Sequence, residues 1–252
     1  MKTIISELMS SNVATVPLST SLEQCAIVME TRRISSLVIT DAGSPVGILT
    51  ERDMLGALSG ELPTSTAVEQ VMGKPLVTVR SDVSYANAVR LFGQHKIRHL
   101  VVLNQHEQLV GIVSETDLCR KGGIAELVAQ SAISGVMDQN PVLLSHDTSL
   151  AAAAMWMVRG RQSSVFVVVD ARPVGIITER DLVKQYRQGN GASRVDEIMS
   201  SPVATVTADQ SLLEAVEQMK SLTIRHLAVV DKQGEIVAQL SENDVLKGVA
   251  TA

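Results

Sequence analysis

Four aspartates recur at a nearly fixed interval, each closing the same short phrase. The phrase reads Gly47-Ile48-Leu49-Thr50-Glu51-Arg52-Asp53, then Gly111-Ile112-Val113-Ser114-Glu115-Thr116-Asp117. It returns as Gly175-Ile176-Ile177-Thr178-Glu179-Arg180-Asp181 and, more altered, as Ala238-Gln239-Leu240-Ser241-Glu242-Asn243-Asp244. Asp53, Asp117, Asp181 and Asp244 step by 64, 64 and 63 residues. A hydroxyl residue three before an acid has the form of a helix capping box, and acid in a first helical turn meets the positive end of the helix dipole. The same helix end can also turn unpaired N–H groups toward a phosphate, and an acid at its mouth can accept hydrogen bonds from ribose hydroxyls. The phrase is compatible with a bare cap and with a ligand site.

A second set of residues keeps the same beat. Arg98-His99 precedes an apolar run in the second copy, and Arg225-His226 precedes one in the fourth. The first and third copies carry Ser35-Ser36 and Ser163-Ser164 there, so the copies alternate. An Arg-His pair beside a buried strand is costly unless it meets an anion or an internal carboxylate. Arg52 and Arg180, next to their acids, could add charge for a phosphate or pair with Glu51 and Glu179 on the surface.

These residues are placed by one unit written four times. Met9, Met72, Met137 and Met199 mark the openings. A short extended stretch follows each opening: Val13 to Val16, Leu76 to Val79, Val142 to Leu144 and Val203 to Val206. A helix comes next, as in Leu212, Leu213, Val216, Met219 and Leu222 at helical spacing. Two strands complete the unit, the first an apolar β-branched run such as Val165 to Val169, a pattern suited to burial on both faces. The order is β-α-β-β-α, a mixed α/β class. The stretch from Arg120 to Ser134 reads as a long closing helix, and Gly189 to Gly191 as a loose loop.

At 252 residues with 45% apolar residues the chain can bury substantial cores, filled by aliphatics because aromatics are only 2%. One Trp, two Phe and two Tyr offer no stacking platform for single-stranded nucleic acid. A net charge of −5 does not recruit polyanions at long range. Cys25 and Cys119 form no paired spacing, which suits free thiols in a reducing compartment. No apolar run reaches membrane-spanning length. The five His make no metal-binding spacing, and no Ser sits in a Gly-x-Ser-x-Gly elbow. The expectation is a cytoplasmic, non-catalytic protein needing no metal or other cofactor, with no membrane or nucleic-acid partner.

The phrase, the element order, the Met-led openings and the period resemble the CBS-domain family, named after cystathionine β-synthase, across essentially the whole chain. The resemblance implies repeats at 1–62, 63–128, 129–190 and 191–252, packed as two pseudo-twofold pairs, the Bateman modules 1–128 and 129–252. It implies clefts for adenosine derivatives, here AMP, ADP, ATP or another adenosyl ligand such as S-adenosylmethionine, and a regulatory role read out by an effector protein. The four acids would hold ribose, with Thr50, Ser114, Thr178 and Ser241 near ribose or phosphate. Asp53 would work with Leu76 and Val77 and with Arg98 and His99 at the phosphates. Asp181 would work with Val203, Ala204, Arg225 and His226. The converse pairings, Asp117 with Val13 and Ala14 and Asp244 with Val142 and Leu143, lack Arg-His and should bind more weakly. Ala238 would narrow the cleft at Asp244 most. Empty clefts in an interaction scaffold are the alternative reading. Two modules could close on each other in one chain, or the chain could form a homodimer through module packing.

Overall fold

The computed structural model describes residues 3–122, 124, 128, 131–188 and 193–251. It is a mixed α/β fold of four similar repeats. Each opens with a 3-10 turn: Ile5–Glu7, Val68–Gln70, Ile133–Gly135 and Val195–Glu197. Repeat one continues as β1 (Thr15–Pro17), α1 (Leu22–Arg32), β2 (Ser36–Asp41), β3 (Ser44–Thr50) and α2 (Glu51–Ser59). Repeat two has β4 (Thr78–Arg80), α3 (Tyr85–His95), β5 (His99–Leu103), β6 (Leu109–Ser114) and α4 (Glu115–Lys121). Repeat three has β7 (Leu143–Leu144), α5 (Leu150–Gly160), β8 (Ser164–Val169), β9 (Arg172–Thr178) and α6 (Glu179–Arg187). Repeat four has β10 (Thr205–Val206), α7 (Leu212–Ser221), β11 (His226–Val230), β12 (Ile236–Ser241) and α8 (Glu242–Thr251).

Every sheet has three strands, with the long apolar strand in the middle. That strand pairs in parallel with the short first strand and antiparallel with the last. Its residues are buried on both faces, as at Leu37, Val38 and Ile39 and at Leu100, Val101 and Val102, which accounts for the unbroken apolar runs. The first helix of each repeat starts on a serine cap: Ser21, Ser84, Ser149 and Ser211 each accept a backbone N–H. Three of these helices end on a basic residue in the left-handed region, Arg33, Lys96 and Arg161. Thr223 takes the same conformation at the matching place in repeat four. This turn delivers the chain to the long strand three residues later.

Two expectations shift. The short first strands begin one or two residues later than the apolar stretches suggest. The closing helix of repeat two stops at Lys121, where Gly122 caps it, and Ile133–Gly135 is a 3-10 turn. Of the stretch read as one long helix, residues 123, 125–127, 129 and 130 lie outside the described residues, as does the loop read at 189–191.

The chain forms two compact units. One, the odd unit, contains 14–76 and 141–203; the other, the even unit, contains 1–13, 77–140 and 204–252. Each holds its own apolar core. In the odd unit Leu22, Met29, Leu37, Leu49 and Met54 share a core with Leu150, Met157, Val165, Ile177 and Leu182. In the even unit Ala88, Phe92, Leu100, Val113 and Leu118 share one with Leu212, Met219, Leu227, Leu240 and Val245. Repeats one and three thus pack together, and so do two and four.

Each opening segment packs on a sheet of another repeat. Ser10 bridges Ile112, Gly73 bridges Ile48, Asp138 bridges Gln239 and Ser200 bridges Ile176. This explains why the glycines keep time with the methionines. A Cβ at Gly47, Gly111 or Gly175 would stand 2.5, 2.3 or 2.1 Å from the sulfur of Met72, Met9 or Met199. The close neighbour of this position is therefore an opening methionine. In repeat four the position is the fully buried Ala238, beside the Asp138 to Gln239 bridge.

Gly175→Ala should destabilise the protein by roughly 1–3 kcal/mol through overpacking, read by chemical denaturation. Met199→Ala in the same chain should recover part of the loss. Additive losses would show that the methionine is not the obstacle.

Candidate functional site

The capping geometry read from the phrase is present in all four repeats. Asp53 Oδ2 accepts the Thr50 backbone N–H and hydroxyl, both at 2.7 Å. Asp117 takes the same bonds from Ser114 at 2.9 and 2.6 Å. Asp181 takes them from Thr178 at 2.9 and 2.7 Å, and Asp244 from Ser241 at 3.0 and 2.6 Å. One carboxylate oxygen of every candidate acid is thus committed to the helix end. The other oxygen meets Lys121 at 2.7 Å in Asp117 and Lys247 at 3.2 Å in Asp244. Asp244 is buried, whereas Asp53, Asp117 and Asp181 are partly exposed.

Strand register sets each cap against the alternating dipeptide of its own repeat. Thr50 pairs with Ser36, Ser114 with His99, Thr178 with Ser164 and Ser241 with His226. The first helical N–H bonds the residue before: Glu51 to the Ser35 carbonyl, Glu115 to Arg98, Glu179 to Ser163 and Glu242 to Arg225, at 3.1–3.2 Å. The two motifs that the sequence presents separately are one local structure.

The residues that join like repeats are the glutamates that open the closing helix of each repeat. Glu51, Glu115, Glu179 and Glu242 are 2%, 8%, 1% and 4% exposed. In the odd unit Arg52 reaches Glu179 at 3.0 Å and Arg180 reaches Glu51 at 2.9 Å, a reciprocal exchange. Arg52 also donates to the Arg161 carbonyl. In the even unit Thr116 and Asn243 stand where those arginines would. Arg120, one turn further on, bonds Glu242 at 2.8 Å and the Ile224 carbonyl at 3.0 Å. Thr116 adds a bond to Glu242 at 2.6 Å. With its amide oriented to satisfy both neighbours, Asn243 donates to Glu115 at 2.9 Å. Arg52 and Arg180 are therefore occupied with carboxylates, and these are buried ones on another repeat rather than surface neighbours. The glutamates were missed as joining residues in the sequence. Their signal was there: apart from the aspartate, Glu is the one residue identical in all four phrases.

The odd unit contains Ala14, Thr50, Arg52, Asp53, Leu76, Thr178, Arg180, Asp181 and Val203; the even unit contains Val13, Val77, Arg98, His99, Ser114, Asp117, Ala204, Arg225, His226, Ser241 and Asp244. The Ala14, Val77 and Ala204 carbonyls accept from Val38, Val101 and Ala228, which fixes these segments beside the long strands. Within the even unit Arg98, His99, Arg225 and His226 come together. Burial first, then the charges of Arg98 and Arg225, push His99 down to about 3, against a smaller opposing pull from Asp117. Burial, Arg225 and Arg98 do the same to His226, also to about 3. Each histidine thus feels the arginine of the other repeat, and both imidazoles are neutral at physiological pH. In the odd unit Ser35-Ser36 and Ser163-Ser164 occupy the corresponding places beside Thr50 and Thr178.

Other chemistry-bearing groups are quiet. Burial pushes the Cys25 thiol up to about 11 and Cys119 to about 12, so both stay protonated. Among the described residues no group of His, Cys, Asp and Glu could hold a metal ion, and no helix is long and apolar enough to cross a membrane.

Comparison with known proteins adds the following. The family model for the CBS domain matches residues 5–60, 68–122, 133–187 and 195–251. An Arabidopsis thaliana CBS domain-containing protein, CBSCBSPB5, is 26% identical over 89% of the chain and 49% of its own length. The chain thus spans about half the length of that relative. The L-aspartate semialdehyde sulfurtransferase of Methanocaldococcus jannaschii is 32% identical over 55% of the chain and 27% of its own length. Protein MJ1225 from Methanocaldococcus jannaschii, whose crystal structure is described as that of a proposed archaeal homologue of γ-AMPK, shares the fold at a TM-score of 0.85. The match is 22% identical and covers 97% of this chain and 99% of that one.

The neutral histidines imply a pH dependence. In the unfolded chain each would protonate near its ordinary value of 6.5, but in the folded chain only near 3. Stability is then full above pH 6.5 and falls as pH drops from 6.5 toward 3. At pH 5 the loss is on the order of 2 kcal/mol per histidine. The melting temperature of a His99→Gln, His226→Gln variant should fall less between pH 7.5 and 5 than that of the parent. Parallel pH curves would contradict the assignment.

Proposed function

The chain belongs to the CBS-domain family, and from that premise we propose that it is a non-catalytic regulatory protein that senses adenine nucleotides. The observation that carries this reading is the gathering of Arg98, His99, Arg225 and His226 in one unit. Guanidinium groups are planar donors suited to phosphate oxygens, and the neighbouring imidazoles are neutral donors there. The family's ligand class supplies the rest of the reading. The ribose would be held by the capping aspartates through the oxygen that the cap leaves over. Asp53 and Asp181 are the principal acids in this reading, because the family pattern pairs them with Arg98 and His99 and with Arg225 and His226. Leu76, Val77, Val203 and Ala204 would frame the adenines, Val13 and Ala14 a weaker one. The assignment of repeats to Bateman modules 1–128 and 129–252 belongs to the same proposal.

The non-catalytic part rests on the two thiols, which burial keeps protonated. The relative named as a sulfurtransferase matches over 27% of its length, so the match leaves most of that enzyme uncovered. Regulation would pass to an effector protein in the cytoplasm. A nucleotide can bias such a partner only by its differential affinity for two states of the chain. A scaffold with empty sites draws support from the caps, which are complete without a ligand.

The test is thermal unfolding of nucleotide-stripped protein with AMP, ADP, ATP, S-adenosylmethionine, GTP and adenosine. A ligand at about 100 times its dissociation constant adds roughly 2.7 kcal/mol, which raises the melting temperature by roughly 5–10 °C in a chain of this size. Adenine nucleotides should give the rise selectively. Asp53→Ala or Asp181→Ala should cut it more than Asp244→Ala. A flat panel would favour the scaffold.

A further inference from the structure

Strand alternation gives each sheet a core face and a face that carries the cap. Leu37, Ile39 and Leu49 line the core of the odd unit, so Ser36, Val38, Ile48 and Thr50 share the opposite face. The same alternation puts Ile112 with Ser114, Ile176 with Thr178 and Gln239 with Ser241. A ligand held by a capping aspartate therefore lies against the side chain two residues before the cap. In repeats one to three that side chain is isoleucine, and the isoleucine, the cap hydroxyl residue and the aspartate are all only half-buried. In repeat four it is an amide, and Gln239, Ser241 and Asp244 are 3%, 8% and 7% exposed. Repeat four alone has all three positions sealed.

The opening segments show the same departure. Each lends one residue that exchanges two backbone hydrogen bonds with this position: Gly73 with Ile48, Ser10 with Ile112, Ser200 with Ile176 and Asp138 with Gln239. The partner is small in the first three and an acid in the fourth. Gln239 Nε2 donates to Asp138 Oδ2 at 3.0 Å, and Asp138 Oδ1 accepts the Asn140 backbone N–H at 3.0 Å. We propose that Asp138 and Gln239 are specificity-determining residues whose pairing closes the Asp244 site, so that the chain takes adenine nucleotides at repeats one to three only. The inference rests on the nucleotide reading and limits its stoichiometry, leaving Asp244 as a structural cap.

The chemistry of the pair favours closure over binding. A purine base presents a flat, largely apolar face, which an aliphatic side chain meets at no polar cost. Covering an amide and a carboxylate with that face removes both from water, and separating them leaves a buried polar group unsatisfied. The backbone bridge itself forms in the other three repeats without any such pair. The side-chain bond is therefore not needed to join an opening segment to a sheet, and it is what sets repeat four apart. Ala238, fully buried where the other repeats carry glycine, adds a Cβ on the same strand directly beside Gln239. Three departures of repeat four, glycine to alanine, isoleucine to glutamine and small residue to aspartate, thus fall at one place.

Isothermal titration of the nucleotide-stripped full chain with AMP, and separately with S-adenosylmethionine, tests this. The parent is compared with an Asp138→Ser,Gln239→Ile variant, which installs the serine and isoleucine that meet at Ser10 and Ile112 and at Ser200 and Ile176. The expected result is one more ligand per chain in the variant than in the parent, and loss of that extra site when Asp244→Ala is added. An equal or smaller number in a variant with an unchanged circular dichroism spectrum would overturn the closure, and binding to the parent would leave the nucleotide reading standing. Should the variant fail to fold, the parent decides. Its Gln239 side-chain amide resonances should stay in place on saturation with ligand, and their displacement would overturn the closure. Binding of neither ligand to either protein would overturn the nucleotide reading and the closure with it.

Discussion

Four buried carboxylates hold the functional part of this molecule in register. Taking a glutamate out of water costs several kcal/mol unless a charge or several donors meet it. Each of these glutamates stands in a first helical turn, where the dipole lowers that cost. Each also accepts donors from the matching helix of another repeat. The requirement to satisfy them ties the helix phrases of like repeats together, and with them the residues just before each long strand. The apolar cores provide most of the burial, but apolar surfaces are non-directional. The carboxylates specify which residues meet.

One arrangement therefore yields two different centres. Around repeats one and three it encloses serines, which are small and uncharged. Around repeats two and four it encloses arginines and histidines. The exchange itself is adjusted to match. Arg52 and Arg180 supply the charge in the odd unit, while Thr116 and Asn243 take the corresponding places in the even unit and leave one arginine, Arg120, to do so. The even unit thus places fewer cations at the clasp where it adds cations at the dipeptides, which limits repulsion between them.

Much of the local structure was legible in the sequence. The Thr/Ser-x-x-Asp spacing gives the caps because the capping box is a contact between residues three apart. The Val- and Ile-rich runs give the central strands because burial on both faces leaves no polar alternation. What escaped were contacts set by tertiary packing. The alternation of Arg-His with Ser-Ser was visible, but not that like repeats would meet, since no local pattern encodes which helix faces which. Arg52 and Arg180 were read beside Glu51 and Glu179, their sequence neighbours, and in the fold each takes the glutamate of the other repeat. Glycine in the phrase suggested room for a ligand, whereas its close neighbour is a methionine from another repeat's opening segment. In each case the residue type was informative and the partner lay at least 24 residues away in the chain.

The most direct test of the shared basic centre is the titration of His99 followed by nuclear magnetic resonance, in the parent chain and in Arg225→Gln. His99 lies in repeat two and Arg225 in repeat four, so an effect of one on the other requires that the two dipeptides meet. The expected result is a His99 that stays neutral down to pH values near 3 in the parent, where burial and Arg98 weigh most, and titrates at a higher pH once the Arg225 charge is gone. An identical His99 titration in both proteins would contradict the centre on which the functional proposal stands.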